Sequence, residues 1–125
     1  MRIALLVEDF PENTAPLEVA LSAIDRLEVM VVEDGRKAID YLEGESGFRV
    51  CAVLTDLNMP LVDGFELIAR LRASVLFANI PVLVLSASTE YGAANRSIEL
   101  GANAFFAKPY SPLEVRKKLE ELLGA

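Results

Sequence analysis

Five short apolar runs rich in β-branched residues alternate with five amphipathic segments, and this alternation constrains the fold more than any other feature of the chain. The runs are Arg2–Val7, Leu27–Val32, Val50–Thr55, Pro81–Ser86 and Ala104–Ala107. Between them lie Ala15–Asp25, Gly35–Glu43, Phe65–Ala73, Glu90–Leu100 and Pro112–Leu123, with apolar positions at helical spacing, as in Ala38, Ile39 and Leu42. Strands that are apolar throughout suit a sheet buried on both faces. With no hairpin signal between them, they pair in parallel and carry helices on both sides. The expected architecture is an α/β doubly wound five-stranded parallel sheet with five helices, one domain over residues 1–125.

Local signals agree. Ser111-Pro112 reads as a cap with proline at the first helical position, and Gly101 stands where a C-terminal cap glycine belongs. Pro16 must lie in a first turn, which puts that helix start near Asn13 or Thr14. Asp63-Gly64 reads as a turn or cap.

Composition removes whole classes of chemistry. The chain has no histidine, so imidazole triads, His-ligated zinc and phosphohistidine carriage are excluded, and any metal would be a hard, oxygen-seeking cation. The net charge of −7 repels nucleic acid and anionic lipid, so direct binding to either is not expected. The single cysteine, Cys51, cannot form an internal disulfide and reads as an inert buried thiol. Mean hydropathy is high at +0.35, yet no apolar stretch approaches the roughly 18 residues of a membrane span. The opening run is halted by Glu8-Asp9, unlike a secretory signal, and the expected location is cytoplasmic.

The functional signal lies where the runs end. In open parallel sheets, ligands bind beyond the carboxyl ends of the strands, at the point where strand order reverses. The first run ends in Glu8-Asp9, the third in Asp56, the fourth in Ser86 and the fifth in Lys108. Each has an ordinary reading alone: Asp9 as a helix cap, Asp56 as a turn, Ser86 as a strand-end hydroxyl, Lys108 as a solvated charge. Their convergence at one crevice favours function. Three carboxylates there repel unless a cation or Lys108 offsets them, and Mg²⁺ suits oxygen ligands.

The set Glu8-Asp9, Asp56 within TDLNMP followed by Asp63-Gly64, Ser86 within LVLSAS, and Lys108-Pro109 resembles the receiver domain of bacterial response regulators over nearly the whole chain. The resemblance implies the flavodoxin-like strand order 2-1-3-4-5. It further implies phosphorylation of Asp56 by a histidine kinase's phosphohistidine, or through a phosphotransfer protein. Mg²⁺ would be held by Asp9, Asp56 and the backbone carbonyl of Asn58, with Glu8 acting through water in place of the commoner Asp. Ser86 and Lys108 would stabilise the phosphoryl group, and Ser86 with Phe105 would form the switch. Asn58 and Ser88 occupy lifetime-tuning positions, while Pro60, Gly64 and a cis Lys108-Pro109 bond shape the loops. Phe106 would point to the opposite face from Phe105. The output would be a switched surface for a downstream protein or fused effector domain, with Tyr91, Arg96, Phe105 and Tyr110 as candidate contacts and a homodimer possible through the same face.

Rival readings fare worse. An aspartyl-phosphate phosphatase would resemble a DxD motif ending the first strand, and Glu8-Asp9-Phe10 does not match it. A flavin carrier would need a hydroxyl-rich loop where Pro11 and Glu12 stand. A phosphorylation-independent receiver-like interaction module would normally lack the acceptor, lysine or acidic pair, all kept here.

Overall fold

The computed structural model describes residues 1–87 and 91–124. Strands β1 (Arg2–Val7), β2 (Leu27–Val32), β3 (Val50–Thr55), β4 (Val82–Ser86) and β5 (Ala104–Ala107) form a single sheet in the order β2-β1-β3-β4-β5. Every pairing is parallel. The helices are α1 (Ala15–Ser22), α2 (Gly35–Glu43), α3 (Gly64–Ala73), α4 (Ala93–Leu100) and α5 (Pro112–Leu123). No helix among the described residues is long and apolar enough to cross a membrane.

Strand alternation divides the interior into two layers. Ile3, Leu5, Val7, Val53, Val82 and Val84 meet the α2, α3 and α4 side. Ala4, Leu6, Ala52, Leu54, Leu83 and Leu85 meet α1 and α5. The residues of each strand set lie at period 2, so a strand buried on both faces needs no polar position. Leu17 and Leu21, one turn apart on α1, are both fully buried, and each contributes roughly 1.5–3 kcal/mol by leaving water. Phe105 packs in the first layer and Phe106 in the second, as alternation requires.

Boundaries differ from the expected ones at four places. Helix α1 stops at Ser22, not Asp25, because a further turn at 23–26 breaks the helix and leaves Arg26 at φ 58°. Strand β4 begins at Val82: Pro81 has no N–H to give the ladder, although its carbonyl accepts from Val53. Helix α3 starts at Gly64, one residue early, with the Asp63 carboxylate accepting from the Glu66 amide at 2.8 Å. Helix α4 starts at Ala93; Glu90, the expected start, lies outside the described residues. The Ser111 cap, the Gly101 C-cap at φ 120° and the cis Lys108–Pro109 bond are all present. Asp9 does not cap a helix, since a 3₁₀ turn at Pro11–Asn13 and Thr14 intervene before α1. Cys51 is half-buried, short of full burial, because β3 carries an extra residue there: Ile3 pairs with Val50, and Ala4 already with Ala52.

One arginine clamps the end of the sheet away from the strand tips. The Arg72 guanidinium donates to the carbonyls of Gly101, Phe77, Ala78 and Ile80 and to Asn103 Oδ1, over 2.8–3.2 Å. It thereby joins the loop after α3 to the loop after α4. Arg72→Met is expected to lower unfolding free energy by about 2–3 kcal/mol, since several carbonyls lose a charged donor together. Urea denaturation reads this directly, and a loss under about 0.5 kcal/mol would show that water replaces the clamp at little cost.

Candidate functional site

Strands β1 and β3 are the neighbours at which strand order reverses, so their carboxyl ends open on a crevice. β1 delivers Glu8 and Asp9 to it and β3 delivers Asp56, with Asp56 N donating to Val7 O at 3.2 Å to lock the strand tips together. Carboxylate oxygens of Glu8, Asp9 and Asp56 all lie within 4.8 Å of one another. Asp9 is half-buried, but Glu8 and Asp56 are buried at 4% and 7% exposure, where like charges repel with little screening.

Lys108, carried just past β5, supplies the missing positive charge. Its Nζ donates to Glu8 Oε2 at 2.6 Å and to Asp56 Oδ2 at 3.1 Å. Glu8 is one methylene longer than aspartate, which brings its carboxylate to the ammonium. Burial raises the Glu8 carboxyl above the usual carboxylate range, and Lys108 offsets only part of that. Burial also disfavours the Lys108 ammonium, but the bonds to Glu8 and Asp56 outweigh it and leave the amine above its ordinary value. Lys108 therefore stays charged at neutral pH.

The backbone fixes the Asp56 carboxylate. Asp56 Oδ1 accepts from Leu57 N at 2.6 Å and Asn58 N at 3.3 Å. Gly64 presses on the same loop: a Cβ there would stand 2.3 Å from the Asp56 carbonyl, and its amide donates to Leu57 O. Gly35 does likewise from α2, where a Cβ would meet Val62 O at 2.1 Å. Pro60 is exposed on this loop, and the Val62 amide turns back onto its carbonyl at 2.8 Å. Ser86 is fully buried at the tip of β4, on the face shared by Val84 and Phe105. Phe105 is half-buried one strand over, its register partner being Val84.

The structure thus gathers Glu8, Asp9, Asp56 and Lys108 at one crevice, with Asn58, exposed, on its rim. Ser88 lies outside the described residues. Among the candidate surface contacts, Tyr91 is fully exposed, whereas Arg96 stacks over the Phe65 ring at 4.0 Å. Tyr110 faces elsewhere: it packs in the α1/α5 layer and, with Glu8, Pro16 and Lys108, lines a cleft of about 440 Å³. The amides of Leu57 and of Phe10, which donates to Glu8 Oε1 at 3.3 Å, escaped the sequence reading. Any residue except proline supplies a backbone N–H, so no side-chain signal marks them.

An acidic crevice bridged by a lysine, at the strand reversal of a 2-1-3-4-5 sheet, defines a flavodoxin-like domain built to gather anionic charge around a cation. The family model for the response regulator receiver domain matches residues 4–120, and the chain belongs to that family of two-component signalling domains. It is 30% identical over 122 residues to the chemotaxis protein CheY1 of Helicobacter pylori, covering 96% of this chain and 95% of that one. The receiver domain of the sensor histidine kinase PA1611 from Pseudomonas aeruginosa, solved with a magnesium ion coordinated in its active site cleft, superposes with a TM-score of 0.82. That pair is 29% identical over 99% of this chain and 98% of that one. The phosphorylated cyanobacterial phytochrome response regulator RcpA superposes with a TM-score of 0.81 at 32% identity, over 96% and 91%.

Removing the lysine isolates its electrostatic part. In Lys108→Met the Glu8 carboxyl loses the two contributions that most oppose burial, so its pKa is expected to rise further above 4.5. The folded chain then holds that proton to higher pH than the unfolded chain does, and stability falls as pH rises through the interval between the two values. Carbon-13 titration of the Glu8 carboxyl checks the shift; an unchanged or lower value would show that Lys108 does not govern it.

Proposed function

We propose that this chain is a two-component phosphorelay receiver that accepts a phosphoryl group on Asp56 and thereby switches a protein-binding surface. The observation that carries this reading is Asp56 itself: buried at a strand tip, held through one oxygen by two backbone amides, and facing Lys108 through the other. With no histidine in the chain, a phosphohistidine donor must come from outside, from a sensor histidine kinase or a phosphotransfer protein. The P–N bond of the donor breaks as the Asp56 carboxylate forms a P–O bond, giving an acyl phosphate.

The oxygen cluster of Glu8, Asp9 and Asp56 suits a hard divalent ion, and Mg²⁺ is the expected one. Asp9, Asp56 and the Asn58 carbonyl would hold it, with Glu8 acting through water. When bound, it supplies positive charge where the phosphoryl oxygens crowd the carboxylates. Lys108 exchanges its bond to Asp56 for one to a phosphoryl oxygen, and the Ser86 hydroxyl donates to another. The amides on Asp56 fix the carboxylate in place, so little reorganisation is required at the moment of transfer.

A phosphoryl group adds about −1.5 to −2 charges next to Ser86. Drawing that hydroxyl inward frees space on the face it shares with Phe105, whose ring turns toward it and shifts the surface of α4, β5 and α5. That surface is read by a downstream protein or a fused effector domain. Asn58 and Ser88 tune the lifetime of the acyl phosphate. Pro60, Gly64 and Pro109 hold the loops in shape.

Incubation with Mg²⁺ and a small acyl-phosphate donor, followed by intact-mass measurement, is the direct test. Gain of one phosphoryl group, lost with EDTA and in Asp56→Asn, is the expected result. Gain that persists in Asp56→Asn would move the acceptor elsewhere. A chain that binds Mg²⁺ yet gains nothing, even from a histidine kinase, would be a phosphorylation-independent interaction module.

A further inference from the structure

The end of the sheet opposite Asp56 carries a second concave site, of about 590 Å³, lined by Met1, Arg2, Arg26, Phe48, Arg49 and Cys51. Three arginines line it, on a chain whose net charge is −7. β1 and β3 begin at this end and reach the acidic crevice only six residues later, about 20 Å away at the rise of a parallel strand. The two sites lie at opposite ends of the sheet.

The basic site is built rather than incidental. Arg49 is tethered by Nε to Met1 O at 3.0 Å and by Nη2 to the Glu28 carboxylate at 3.3 Å. Arg2 Nη2 donates to Asp25 O at 3.2 Å, and its amide donates to Arg26 O at 3.1 Å. Arg26 sits in the left-handed region at φ 58°, a conformation that β-carbon-bearing residues seldom adopt without a local reason. Its guanidinium has no hydrogen bond or ion pair among the described residues and is exposed. The extra residue of β3, at Cys51, falls in the floor of the same cavity. Burial raises the Cys51 thiol, which leaves it a neutral lining group. On the rim Phe48 exposes 77% of its surface.

We infer that this site binds a polyphosphate group, carried by a nucleotide whose base lies on Phe48. Guanidinium forks match phosphate oxygens in pairs, and an exposed ring offers a stacking platform for a base. The volume falls within the range of small-molecule sites, about 300–1,000 Å³. Glu28 engages one nitrogen of Arg49, whereas the exposed Arg26 guanidinium carries no internal partner among the described residues and is the group most available to a phosphate.

The test is a titration of the full chain with ATP, inorganic tripolyphosphate and an oligoglutamate peptide, at low salt and with EDTA to remove divalent ions. Two-dimensional NMR follows Arg2, Arg26, Phe48 and Cys51. Saturable shifts at these residues are expected for ATP, with Kd below about 1 mM. At least tenfold weakening is expected in Arg26→Gln, a change that breaks no internal bond of that side chain. ATP binding tenfold tighter than tripolyphosphate, with the advantage lost in Phe48→Ala, would support a nucleotide. Equal binding of the two would keep the polyphosphate site but make its source inorganic, and overturn the stacking role. No saturation, oligoglutamate bound as tightly as ATP, or ATP affinity unchanged in both Arg26→Gln and Arg26→Gln/Arg49→Gln would overturn the site altogether. Asp56→Asn should bind ATP like the unsubstituted chain, which separates this result from the phosphorylation test.

Discussion

Charge compensation by Lys108 is the interaction on which the upper half of the molecule depends. Three carboxylates sit within 4.8 Å of one another, two of them buried, and nothing in a hydrophobic sheet would tolerate that alone. The lysine neutralises part of the charge from across the sheet, joining β5 to β1 and β3. Its two hydrogen bonds, one to Glu8 and one to Asp56, satisfy a buried charge cluster that must be partly undone before either carboxylate takes another partner. On the proposal that Asp56 is phosphorylated, a phosphoryl oxygen would offer Lys108 a replacement partner.

Most of this arrangement was legible in the sequence because it rests on side-chain identity. Strand β1 shows it well: Ile3 to Val7 are all buried, and the first residue that cannot be buried cheaply, Glu8, marks the strand tip and the site together. The same logic exposed Asp56, Ser86 and Lys108. Geometry supplied by backbone was invisible. The amides on Asp56 Oδ1 and Glu8 Oε1 come from Leu57, Asn58 and Phe10, where any residue but proline could donate.

Other misreadings have equally local causes. Helix α1 was extended to Asp25 because Ile24 continues the apolar periodicity, yet Ile24 is buried from a turn, not from a helix. Cys51 reads as a buried thiol because it stands in an apolar run; the extra residue in β3 at this point leaves it half-buried. Arg72 gave no signal at all. With Arg70 also in the last turn of α3, Arg72 reads as one of two dipole partners facing water, whereas it gathers five acceptors.

That clamp has a mechanical consequence. Arg72 holds the Gly101 carbonyl at the C-terminal end of α4, while the other end begins at Gly92, at φ 83°, with no side-chain cap. The two ends of α4 are thus held by different means, a charged clamp at Gly101 and burial of Ala93 at its start, so one anchor can be lost without the other. Eight residues at 1.5 Å each place those anchors about 12 Å apart, so any tilt of α4 about the Arg72 clamp is limited by the packing of Ala93.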